Sequence, residues 1–186
     1  VNYPPLHGRF GLILGRGAGV WEEVAEAKRL IAPVEPIIVA VKRAGRDYDG
    51  PVHHWASFHP ELFEPWLKVR RDAGRPEPGL LWTGIFRNHK LGRGLKLPMH
   101  YIECEGGASG LLGTLVGLRH CDKLILCGIP MTVSGRYDDN KLWSEGERYR
   151  DAWKQQLPLL KDRVRSLAGW TREMLGAPTP EWINGD

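Results

Sequence analysis

The sequence predicts an α/β fold in which helices cover both faces of a mostly parallel sheet. Two observations carry this. A short apolar run, a glycine-bearing turn, an amphipathic segment and a β-branched run succeed one another over residues 10–41, and a similar order returns over 99–129. Strand, turn, helix and strand in that order make the βαβ unit from which parallel sheets are built. In addition, P-I-I-V-A-V (36–41) is apolar without alternation, as in a strand buried on both faces. A chain of 186 residues, 42% hydrophobic and 26% charged, suffices for one full-sized domain and is short for two. Residues 1–186 are therefore expected to form one unit, with 144–186 as a C-terminal helical segment and tail.

The first strand is F-G-L-I-L-G (10–15), and R-G-A-G leads from it into V-W-E-E-V-A-E-A-K-R-L-I-A. There Val20, Val24, Ala27 and Ile31 recur at helical spacing while Glu22, Glu23, Glu26 and Lys28 take other faces. Pro33 and Pro36 end the helix, and 36–41 forms the next strand. V-H-H-W-A-S-F (52–58) and L-L-W-T-G-I-F (80–86) read as further strands, with a helix over 60–71 opened by Pro60. The segment 87–98 is basic and broken by glycines and a proline, which predicts an exposed loop. A strand at 99–103, a helix from about Ser109 to Arg119 and a strand at 123–129 complete the second unit. Residues 132–143 read as a polar loop turning at Ser134-Gly135. From Ser144 to Leu175 the pattern is helical, interrupted at Pro158 and Gly169, with Ser144 and Glu147 spaced as a capping box. The remainder reads as an extended tail, tied down by Trp182.

The apolar runs are all shorter than a membrane span, and the N-terminal residues lack the order of a signal peptide, so a soluble cytoplasmic protein is expected. Cys104, Cys121 and Cys127 lack metal-ligand spacing and read as reduced core thiols. A net charge of +4 suits a polyanionic partner without requiring one.

In a doubly wound sheet, ligands lie beyond the C-terminal ends of the strands, where helix N-termini present free N–H groups. Two glycine-rich turns fall at that edge, G-R-G-A-G (15–19) and G-G-A-S-G (106–110). Gly15, Arg16, Gly17, Gly106, Gly107, Ser109 and Gly110 are thus candidate phosphate ligands, with Ser109 expected at the helix N-cap. Packing alone also places glycine at strand-to-helix turns. Neither turn matches the dinucleotide fingerprint or the Gly-Lys-Ser/Thr phosphate loop.

L-I-L-G-R-G-A-G-V-W-E-E, I-I-V-A-V-K-R-A and G-G-A-S-G-L-L-G-T-L-V-G-L-R-H-C-D-K-L-I-L-C-G-I-P together resemble the Rossmann-like superfamily of bacterial sialyltransferases and archaeal hydroxymethyldihydropterin pyrophosphokinases. The H-W-x-S-x-H-P-E and W-x-x-x-R-R patterns at 54–61 and 66–71 are similar to those of small bacteriophage proteins. The resemblance implies a Rossmann-like three-layer sandwich with a mostly parallel sheet and a nucleotide-binding frame. It also shows departures. Arg16 and Lys42 stand where that superfamily has asparagines, and Pro130 replaces a terminal aspartate. No histidine follows His120, so the late histidine of the sialyltransferases has no counterpart. Two cations in place of neutral amides suit a more phosphorylated ligand.

Other candidates are fewer. On a strand, His53 and His54 face opposite sides and cannot both ligate one ion. His59, at the strand end, is placed for acid or base work, and capping of the next helix is the competing reading. Glu103 and Glu105 flank Cys104, while Asp138 and Asp139 read as a lid or a solvated turn. The leading expectation is a group transferase using a sugar nucleotide, with His59 or Glu105 as base and Arg16, Lys42 and the glycine turns on the phosphates. A pyrophosphokinase-like transferase would instead use ATP and a metal such as Mg2+ held by Glu103, Glu105 or Asp138. A third reading is non-catalytic: a phage nucleotide-binding domain, or one that contacts nucleic acid through Arg87, Lys90, Arg93 and Lys96.

Overall fold

The computed structural model describes residues 7–85, 97–104, 106 and 108–185. The chain runs β1 (Gly8–Leu14), α1 (Val20–Ile31), β2 (Ile37–Val41), α2 (Arg43–Asp47) and β3 (His54–Ala56). A 3₁₀ turn (Pro60–Leu62), α3 (Phe63–Asp72), β4 (Leu80–Ile85), β5 (His100–Glu103), α4 (Ser109–Leu118) and β6 (Cys121–Cys127) follow. Then come a small hairpin of β7 (Ser134–Gly135) and β8 (Leu142–Trp143), a 3₁₀ turn (Glu147–Tyr149), α5 (Arg150–Gln155), α6 (Leu157–Leu160), β9 (Val164–Ser166), α7 (Gly169–Leu175) and α8 (Pro180–Asn184).

Seven strands make one sheet in the order β5-β4-β3-β2-β1-β6-β9, with every pairing parallel. Leu12 at the centre stands opposite Ile38 on one side and Ile125 on the other. From β1 the chain steps outward to β5, then returns through α4 to lay β6 against the free side of β1. The order reverses there, so the exits of β1 and β6 flank a crevice at the C-terminal edge.

Strand residues alternate between faces, and the two faces bury different helices. Ile13, Val39, Val41 and Leu126 share a core with Leu111, Leu112 and Val116 of α4 and with Trp153, Leu160 and Leu175 of the C-terminal helices. Leu12, Leu14, Ile38 and Cys127 pack instead against Val20, Val24, Ala27 and Ile31 of α1 and Ile183 of α8. A third cluster seats Phe63, Trp66 and Leu67 of α3 on Trp55 and Leu81. This is a Rossmann-like three-layer sandwich. The three cysteines are free and buried, and burial pushes the thiols up, Cys104 to about 11 and Cys121 to about 12. Among the described residues no helix is long and apolar enough to cross a membrane.

The structure corrects the C-terminal reading. The segment expected to be helical from 144 to 175 contains a strand, β9, whose Val164 and Ser166 pair with Leu124 and Leu126. Three residues are too few to express a period of two against neighbouring helical charge patterns. The capping box does not form: the 3₁₀ turn starts after Gly146 with no side-chain cap. The polar loop at 132–143 holds the hairpin, and the tail ends in α8, which Thr179 caps by accepting from the Trp182 N–H at 3.3 Å.

One buried cation organises the turns around α2 and α3. Arg70, 1% exposed, donates to the carbonyls of Gly45 (2.9 Å), Tyr48 (2.6 Å), Gly50 (2.8 Å) and Pro76 (2.6 Å). Its guanidinium does for this irregular backbone what a ladder does for a strand. Arg70→Met should cost about 3 kcal/mol or more in urea unfolding, because several carbonyls lose their donors together. A loss below about 1 kcal/mol would show that water replaces them.

At the opposite edge of the sheet from the crevice, His54 (3% exposed) stacks on His120 at 4.1 Å and its Nδ1 accepts from Trp82 Nε1–H at 3.2 Å. Its Nε2 is buried with no hydrogen-bond partner among the described residues. Burial, and then the nearby His120, His53 and His100, hold this imidazole down to about 3. Unfolded, it titrates near 6.5. A depressed base contributes stability above its unfolded value and loses it as pH falls through the window from about 6.5 to 3. His54→Gln should therefore flatten the fall in unfolding free energy between pH 6.5 and 4.5 by roughly 1 kcal/mol per pH unit, measured by urea titration. Parallel slopes would place the acid sensitivity elsewhere.

Candidate functional site

The exits of β1 and β6 are pressed together. Gly15 N–H donates to Cys127 O (2.7 Å), Gly17 N–H to Gly128 O (2.9 Å) and Ala18 N–H to Gly135 O of the hairpin (3.1 Å). Gly128, at φ +66°, donates its own N–H to Glu23 Oε2 of α1 at 2.8 Å. A Cβ on Gly15 would overlap the Gly128 carbonyl oxygen, and one on Gly128 would stand 2.6 Å from the Cβ of Val20. The glycines at 15, 17 and 128 are accounted for by this loop-on-loop contact, and three N–H donors of the first turn are used within it.

The second turn is more open. After Gly106 (φ +79°), Ala108 takes the N-cap position and α4 begins at Ser109. The expected N-cap role of Ser109 is corrected: it is the first helical residue, buried, and its Oγ accepts from Phe58 N–H at 3.3 Å, bracing the β3 exit against α4. The N–H groups of Ser109 and Gly110 have no acceptor among the described residues. They border a cavity of about 450 Å3 that opens at the order reversal. Gly15, Arg16, Gly17, Lys42, His59, Gly106, Ser109 and Gly110 all line it, so one cleft gathers most of the residues that the sequence singled out. Glu105 and Gly107 lie outside the described residues, as do Arg87, Lys90, Arg93 and Lys96.

The two cations at the turn ends differ in availability. Arg16 is held by Asp138 through Nε (3.2 Å) and Nη2 (2.7 and 2.6 Å to the two oxygens), and Arg43 Nη1 binds the same carboxylate at 2.7 Å. The Asp138 side chain is 2% exposed. Burial pushes its carboxyl up, but hydrogen bonds and charge from Arg16 and Arg43 outweigh this and hold it below the usual range. Asp138 is thus neither free lid nor open metal ligand. It fastens the hairpin to the β1 exit.

Lys42 is unpaired: among the described residues its ammonium has no hydrogen-bond or ion-pair partner. Its backbone sits at φ 51°, ψ −127°, a left-handed elbow between β2 and α2. Such a conformation is strained for a side-chain-bearing residue and persists only where its surroundings over-determine it. Here Lys42 N–H donates to Ala56 O (3.0 Å), and its carbonyl accepts from Trp55 Nε1–H (2.6 Å) and Gly45 N–H (3.2 Å). Burial lowers the ammonium's pKa, and Arg16 and Arg136 lower it further against the attraction of Glu145.

His59 follows β3 at the rim as expected, exposed, with Nδ1 3.2 Å from Glu61 Oε1 and no cap bond to the 3₁₀ turn. Glu103 projects from the edge strand, exposed and away from the cavity lining. Among the described residues no group of three or more His, Cys, Asp and Glu is arranged to hold a metal ion. The far wall comes from 131–149, read from sequence as loop and helix: Arg136, Trp143, Glu145 and Tyr149 line it. The sequence signal in this stretch was the acidic pair Asp138 and Asp139, read as a lid or a solvated turn.

No protein-family model, curated protein or solved structure matches the chain. What the site can do therefore rests on its geometry.

Gly15→Ala tests the loop contact. It should destabilise the fold by about 2 kcal/mol or more through overpacking against the Gly128 carbonyl, read as a shift of the denaturation midpoint. Unchanged stability with loss of ligand binding would mean instead that the glycine serves a ligand's approach.

Proposed function

We propose that this cavity binds the phosphates of a nucleotide and that the protein is a nucleotide-dependent group transferase, with a sugar nucleotide as donor. The observation that carries the reading is the meeting, in one cleft, of a lysine and helix N–H groups that have no partners among the described residues. Arg16 and Arg136 repel the Lys42 ammonium and Glu145 offsets only part of the shift, so an anion entering between it and α4 relieves that repulsion while meeting the N–H groups of Ser109 and Gly110. Arg136, 3.6 Å from Asp139, adds positive potential from the hairpin side.

In such a transfer the acceptor's oxygen bonds to the donor carbon as the bond from that carbon to the phosphate oxygen breaks, and charge develops on the departing phosphate. Lys42 and the N-terminus of α4 would stabilise that charge. His59 at the rim is the residue placed to take the acceptor's proton.

A thermal-shift panel of nucleoside mono-, di- and triphosphates and nucleotide sugars tests the reading. Binding at 100 times the dissociation constant should add about 2.7 kcal/mol to stability. A flat response across the panel would overturn it, and a response that requires magnesium would favour the pyrophosphokinase-like reaction. Lys42→Gly sharpens the test. Relief of the elbow's strain, roughly 1–3 kcal/mol, opposes a glycine entropy cost of about 0.5–1 kcal/mol. The variant should thus melt no lower than the parent while losing the ligand-induced shift. Retention of that shift would remove Lys42 from the phosphate site.

A further inference from the structure

The wall opposite α4 carries an arrangement that phosphate binding does not use. Trp143 of β8 and Tyr149 of the following 3₁₀ turn both line the cavity, half-buried, with ring centroids 6.3 Å apart and planes within 13° of parallel. The Arg148 guanidinium lies over the Tyr149 ring at 5.7 Å. Between the two rings in sequence, Glu145 brings a carboxylate to the same lining. The two rings stack on each other and together give this wall an aromatic surface, which suits a flat π system, and a carboxylate beside them accepts from amino or hydroxyl groups while repelling phosphate.

We infer that Trp143 and Tyr149 are the seat of the nucleobase, with Glu145 at its edge, so that the ligand lies across the cleft with its base on the hairpin wall and its phosphate at Lys42 and α4. This rests on the nucleotide reading and adds to it the face that recognises the base.

The test is calorimetric titration of the full chain with the four common nucleoside monophosphates and, at the same salt and pH, ribose 5-phosphate, which has the sugar and phosphate without the base. At least one nucleotide should bind tenfold or more tightly than ribose 5-phosphate. Trp143→Leu and Tyr149→Leu should each cut that advantage below threefold while leaving ribose 5-phosphate affinity unchanged. Trp143→Phe, which keeps a ring, should retain most of it and controls for damage to the fold. Equal affinity of nucleotides and ribose 5-phosphate for the parent protein would overturn the base seat and leave the phosphate site standing. An advantage that survives both leucine variants would overturn it too, placing the base elsewhere. Binding of neither compound would overturn this inference and the nucleotide reading together.

Discussion

The approach of Gly128 to the β1 exit is the contact on which the rest of the site depends. The order of the strands reverses between β1 and β6, so two exit loops that would normally diverge must share one edge. They fit only because neither carries a side chain at the meeting point and because Glu23, reaching from α1, supplies an acceptor for the Gly128 N–H. Burial raises the Glu23 carboxyl's pKa, and the Gly128 hydrogen bond offsets part of that rise. With the loops fixed, the hairpin can lie across them through Ala18 and Gly135, and the cleft acquires its wall.

Charge pairing then decides which cation is available. Arg16 and Lys42 leave adjacent strands, yet Asp138 neutralises Arg16 while fastening the hairpin, and Lys42 is left without a partner among the described residues. The difference comes from a residue more than 90 positions from either of the carboxylate's partners along the chain. Backbone strain at the Lys42 elbow is consistent with this division of labour. The structure holds the residue there with three backbone contacts and gives its ammonium none among the described residues.

Both βαβ units were legible in the sequence because central parallel strands are apolar on both faces and the helix between them shows its period. The cleft was legible as a location for the same reason, since strand exits and glycine turns mark the edge. The helix α4 was legible as a segment from about Ser109, and most of its residues are buried. Beyond Pro130 the signals fail. The strand β9 spans three residues and the β7–β8 hairpin two on each side, too short for any periodicity, and β9 exists only through a partner distant in sequence. Arg16 and Lys42 looked equivalent, and only the placement of Asp138 separates them. Ser109 satisfied the composition rule for an N-cap, but the chain starts its helix one residue earlier and assigns the hydroxyl to Phe58.

Placing β1 at the centre of the sheet has a consequence for how the molecule is made. Leu12 must find Ile125, more than a hundred residues later, before the middle of the sheet exists, and the hairpin can close on Arg16 only after that. Chain entropy is lost in closing such loops before the contacts return it, which slows folding relative to proteins of local topology. On a ribosome, an N-terminal portion ending before β6 would expose one full edge of β1, a parallel template with no partner yet synthesised. The cleft accordingly cannot form before β6 and the hairpin are in place, and a ligand that bridges α4 and the hairpin would bind only a chain that includes both.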